Sequence, residues 1–186
     1  MNPRIWFYDN KINIFPVDRR DKSPIVPAGT SQFDYRCTRR EAERIGDYGV
    51  PGGLLAFADS DSPDAEAWFA ANLPDTPFKV TTARGLHRYY RIVGAPPKFF
   101  HRAGLTIEFR NHGQYVVGPG SIHASGVTYT ASKWSWNILD LPLFPSDFEF
   151  DDRPLDQRGS TEGGAPLVLP PIIKAGERHD LLFKLM

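Results

Sequence analysis

The chain has 186 residues, with 22 Lys and Arg balancing 22 Asp and Glu, so the formal net charge is zero with His neutral. At 41% hydrophobic and 24% charged residues it has the composition of a folded globular protein, which excludes a disordered tail, a collagen-like chain and a histone-like basic binder. One ordinary domain fits this length, no run of about 18 apolar residues marks a membrane-spanning helix, and Cys37, the single cysteine, excludes an internal disulfide and a cysteine-rich zinc site.

From the N-terminus, Met1-Asn2-Pro3-Arg4 lacks the apolar core of a signal peptide, so the expected compartment is the cytoplasm and no membrane partner is expected. The aromatic and β-branched content of Trp6 to Val17 predicts strands, and the polar, Pro-containing stretch Asp18 to Thr30 predicts a loop. Thr38 followed by Glu41 matches a capping box and predicts a short helix to about Asp47. Leu54 to Ala58 reads as a buried strand ending at Asp59. Ser62-Pro63-Asp64 then supplies an N-cap, a proline at the first helical position and an acid in the first turn. That helix should bury Ala65, Trp68, Phe69 and Leu73 and stop at Pro74. Further strands are predicted over Phe78 to Thr82, Leu86 to Val93, Leu105 to Arg110, Gln114 to Val117 and Val127 to Thr130, and Leu141 to Phe150 is apolar enough to pack on the sheet. The predicted class is α+β, a mixed or antiparallel central sheet with flanking helices. Residues 1–150 form the expected domain, 151–171 a linker rich in Gly, Ser, Pro and charge, and 172–186 the start of a truncated helical segment.

Charge is unevenly distributed. Arg84, Arg88, Arg91, Lys98, Arg102 and Arg110 surround the single acid Glu108, which suggests a phosphate-binding surface with a reason to hold a metal. Asp59 and Asp61 stand two apart at a strand end, so both carboxylates can point to one side with Cα atoms roughly 6.6 Å apart. Such a pair can bracket Mg²⁺; the same spacing also fits a solvated strand end in which one Asp helps cap the Ser62 helix. Glu108 alternates with Leu105, Ile107 and Phe109, placing it with Thr106 and Arg110 on the side away from the core. On its own it is an ordinary solvated residue; with the aspartates it becomes a third carboxylate on one sheet face. His87 follows the turn Arg84-Gly85, where a glycine lets backbone approach a ligand. It can hydrogen-bond a phosphate, shuttle a proton or simply pack against Tyr89. Arg84 beside it makes a triphosphate cradle a second reading of the same turn. The loop Gly118 to Gly126 adds Ser121 and His123 but is not a Walker motif.

Taken in order, Phe57-Ala58-Asp59-Ser60-Asp61, Arg84-Gly85-Leu86-His87, Ile107-Glu108 and Gln114 to Ser121 resemble the bifunctional primase–polymerase domain of plasmid and phage replication proteins, in the archaeo-eukaryotic primase superfamily. Lys22-Ser23-Pro24 is similar to that family's Lys-Pro loop, and Gly126 to Tyr129 to its Ser-Gly-x-x-Tyr hairpin. The resemblance implies a template-dependent primase and DNA polymerase. Asp59, Asp61 and Glu108 would be metal ligands and His87 the residue on the nucleotide's phosphates. Combined with the residue chemistry, it implies two Mg²⁺ or Mn²⁺ ions about 3.5 to 4 Å apart. Arg84, Gly85 and His87 then form the nucleotide site, with Lys22 and Ser121 as further candidates. No organic cofactor and no zinc are expected. The implied partners are single-stranded DNA template and primer, nucleoside triphosphates and a C-terminal helicase domain, with Arg88 to Arg110 tracking the template backbone. The chain departs from the family in having Glu108 where Asp is common, and Gly85 where a hydroxyl residue often precedes the histidine. Two other classes remain open at this stage: a catalytically silent single-strand-binding module, and a metal-dependent nuclease using the same carboxylates.

Overall fold

The computed structural model describes residues 2–93, 107–133 and 137–145, all within one unit, Met1–Asp152. The predicted linker and terminal helical segment, together with Lys98, Arg102, Leu105 and Thr106, lie outside these residues.

The chain opens with helix α1, Pro3–Asp9, where strands are predicted. Asn2 accepts from the Arg4 N–H at 3.0 Å and Pro3 sits at the first helical position, so local capping overrides the strand propensity of the aromatic residues. Phe7 is buried from this helix against Tyr48, Phe78 and Tyr89. Lys11, with φ at +61°, turns the chain into the short strand β1, Phe15–Pro16. Helix α2, Arg39–Arg44, has the predicted capping box between Thr38 and Glu41 and stops earlier than expected, at Ile45. Strand β2, Tyr48–Pro51, has no counterpart among the predicted elements, since Gly49 and Pro51 weaken its local strand signal. Strand β3, Leu55–Ser60, and helix α3, Pro63–Asn72, follow as predicted, with Ser62 accepting from the Ala65 N–H. Strands β4, Lys79–Thr81, β5, Leu86–Arg91, β6, Ile107–Arg110, β7, Tyr115–Val117, and β8, Thr130–Ala131, complete the set.

β1, β2 and β7 form a three-stranded sheet, and a five-stranded sheet has the order β6-β3-β5-β4-β8. The pairings within both sheets are antiparallel. Alternation along β3 divides the interior. Leu55 and Phe57 join Phe7, Tyr48, Val50, Val80, Tyr89 and Val116 in one core, while Ala58 pairs with Phe109 on the opposite face. There Trp68 and Phe69 of α3 meet Phe109, and Phe144 packs on both Phe109 and Tyr90. Each buried aromatic contributes roughly 1.5–3 kcal/mol, so α3 is held firmly to that face. Asp59 continues the first face at the end of β3.

No helix among the described residues is long and apolar enough to cross a membrane.

Candidate active site

Strand β3 is hydrogen-bonded on both edges, and its registers decide the site. Asp59 stands opposite His87 on β5 and opposite Glu108 on β6. Directly opposed side chains share a face with Cβ atoms about 4.5–5.5 Å apart, so Glu108, Asp59 and His87 form one row across three strands. The next pairs along β3 put Arg110 and Tyr89 on either side of Phe57, on the same face.

Both Asp59 oxygens are engaged. His87 Nε2 lies 3.2 Å from Oδ1 and donates to it, and Arg110 Nε donates to Oδ2 at 3.2 Å. The Arg110 guanidinium also pairs through Nη2 with Glu108 Oε2. Burial acts to raise the Asp59 pKa, but His87 and then Arg110 outweigh it and hold the carboxyl at about 2. Asp61, just beyond β3, accepts from Arg84 Nη2 at 2.6 Å. Asp59, Asp61 and Arg84 all act on the phenol of Tyr129, which burial and then the two carboxylates push up to about 12. The Tyr129 ring lies between His87 and His123, with centroid separations of 5.8 and 6.3 Å. It forms a wall of a small, shallow cleft also lined by Arg19, Lys22, Asp47 and His123.

The remaining candidates have other surroundings. Lys22 borders this cleft with φ at +64°, a left-handed conformation uncommon for a residue with a side chain, and its carbonyl accepts from Tyr115 Oη at 2.7 Å. Gly85 is explained by packing: a Cβ there would stand 1.8 Å from the Ser60 carbonyl oxygen, and its N–H, like that of Arg84, donates to Thr82 Oγ1. Ser121 is fully buried and its hydroxyl accepts from the Tyr48 N–H, so it ties the loop to β2 and has no surface to offer a ligand. Arg88, expected on the template track, is 4% exposed on the α3 face and pairs with Glu66.

A sequence profile of the Prim-Pol family, described as "Bifunctional DNA primase/polymerase, N-terminal", matches residues 5–143. The chain belongs to this family. No curated protein matches the sequence. The matched region takes in these elements except the first two residues of α1, and the two antiparallel sheets with their few helices are consistent with a prim-pol α+β core.

Membership makes a divalent-metal requirement the expectation, and the row can be tested for it. Among the described residues no group of three or more His, Cys, Asp or Glu side chains stands assembled as a metal site. The donor chemistry nevertheless fits. Asp59, Asp61 and Glu108 offer hard carboxylate oxygens of the kind Mg²⁺ and Mn²⁺ prefer, and the space between Asp59 and Glu108 already holds a positive charge, the Arg110 guanidinium. Alternation places Arg110 on Glu108's side of β6, but that side is the face of Phe57 and Tyr89 in the larger core, not the side away from the core as expected. The contact of Arg110 with Asp59 depends on a cross-strand register that the sequence does not display. Thr82, which accepts both turn N–H groups, carries no sequence signal.

Proposed function

We propose that this domain is a template-dependent DNA primase and polymerase that transfers a nucleotidyl group from a nucleoside triphosphate to a 3′-hydroxyl on single-stranded DNA, in phage or plasmid replication in the cytoplasm. The observation that carries the reading is the row Glu108, Asp59, His87 on one face of the sheet, in a chain of the Prim-Pol family. Asp59, Asp61 and Glu108 would hold two divalent cations. When bound, these activate the attacking hydroxyl and neutralise charge at the α-phosphate. The chain's own residues position and neutralise, which is most of what phosphoryl transfer asks of a protein. His87 Nε2 is oriented by Asp59 Oδ1, and the imidazole would be the group that meets a phosphate oxygen of the nucleotide. Arg84, 62% exposed, can exchange Asp61 for the triphosphate, and Lys22 faces the adjoining cleft. A helicase domain C-terminal to this one in the full-length protein is the partner we propose, with residues 151–171 as the linker.

A second reading is favoured by one observation: Asp59, Asp61 and Glu108 each already face an arginine, as in a binding module whose carboxylates are structural. Incorporation of labelled nucleotides on primed and unprimed single-stranded DNA, with Mg²⁺ or Mn²⁺, separates the two. Asp59→Asn should lower incorporation about a thousandfold, the several kcal/mol a metal clamp supplies, while DNA binding stays within about twofold. Incorporation undiminished in that variant overturns the site. DNA binding by the unaltered protein without incorporation under either metal supports the binding module.

A further inference from the structure

The proposed reaction gives no task to Arg110, yet this side chain reaches between Asp59 and Glu108 of the row. Asp59 and Glu108 are directly opposed on adjacent strands, an arrangement in which like charges repel. A guanidinium, always charged and built as a planar fork, can donate to both carboxylates at once, and Arg110 does so through Nε to Asp59 and Nη2 to Glu108. Its surroundings do not lock it there. Among the described residues β6 is an edge strand paired only with β3, and the Arg110 side chain is 31% exposed, against 4% for Arg88 on the other face. The carboxylates it bridges are 13% and 22% exposed, so solvent and ions reach the same space.

We infer that Arg110 is the resting counter-ion of the Asp59–Glu108 pair and competes with the divalent cation for it. The inference rests on the metal-site reading above. In the resting state the guanidinium offsets one of the two opposed negative charges and keeps the carboxylates facing each other. A cation arriving between them must displace it, and the side chain, on the exposed edge of the sheet, swings out to water.

The test is a Mn²⁺ titration, free ion followed by electron paramagnetic resonance, on the full chain and on Arg110→Gln, Arg110→Lys and Asp59→Asn. Arg110→Gln should bind Mn²⁺ about tenfold more tightly, a factor ordinary for two ligands coupled through one site, and Arg110→Lys should lie between it and the native chain. Asp59→Asn should abolish binding in either background. A folded Arg110→Gln variant with unchanged or weaker Mn²⁺ affinity overturns the inference while leaving the metal-site reading intact, provided Asp59→Asn loses the ion. If neither the native chain nor Arg110→Gln binds Mn²⁺, both fall. The native protein gives an independent readout. The assigned Arg110 Nε–H resonance should move toward the solvent-exposed range and exchange faster as Mg²⁺ saturates the site; an unmoved resonance at saturation counts against displacement even if no Arg110 variant folds.

Discussion

Two arginine–carboxylate clusters lie on opposite faces of the same five-stranded sheet, and they behave as different devices. On the α3 side Arg88 is 4% exposed, pairs with Glu66 and has Asp75 at 3.7 Å. It is enclosed by helix and aromatic side chains, so its charge is fixed where it sits. On the other face Arg110 bridges Asp59 and Glu108 with nearly a third of its side chain in solvent. The carboxylates do not make the difference, since Glu66 and Asp75 are more exposed than Asp59 and Glu108. What separates the clusters is the guanidinium, confined under α3 in one and partly solvated at a strand edge in the other.

Substitutions can break or sharpen this contrast. The largest stability effect is expected from Glu66→Ala, which strands the enclosed Arg88. It should cost about 3 kcal/mol in chemical denaturation, the lower end for breaking a buried pair because Glu66 is itself 33% exposed. A cost well under 1 kcal/mol would mean that Arg88 is no more confined than Arg110. Gly85→Ala comes next, at about 2 kcal/mol, because its new methyl meets the Ser60 backbone. Unchanged stability with lost nucleotide affinity would instead assign Gly85 to the ligand. The smallest effect is expected from Arg110→Gln without metal, about 1 kcal/mol, since Asp59 keeps His87 and the glutamine amide can still donate to a carboxylate. If its thermal unfolding drops as far as that of Glu66→Ala, the two clusters are alike and the contrast fails.

Much of this arrangement is legible in the sequence where the signal is local. The capping box at Thr38 and Glu41, the Ser62-Pro63 helix start and the alternation that separates Phe109 from Glu108 and Arg110 depend only on near neighbours. The signal fails where partners are distant. Strand β2 is held by β1 and β7 despite its glycine and proline, and α1 forms because Asn2 and Pro3 outweigh the strand propensity of Trp6, Phe7 and Tyr8. In the site, Asp59, His87 and Glu108 meet through the registers of β5 and β6 on β3. Close packing against Ser60 requires the glycine at 85 and a bond from the Tyr48 N–H engages the hydroxyl at 121, and neither partner is near in the chain. Arg88 was misread for a related reason: a charge cluster in sequence does not say on which side of a sheet each member will lie.

The double-sided pairing of β3 has an evolutionary corollary. Side chains alternate with a strict period of two, so inserting or deleting one residue between Leu55 and Asp59 would send the acid into the aromatic layer beneath α3 and bring Ala58 or Ser60 to its place between His87 and Glu108. Length changes in this strand are therefore forbidden by parity before chemistry is consulted. Variation among descendants of such a domain should accumulate as substitutions at its rim and as longer or shorter loops between strands, leaving the spacing inside β3 untouched.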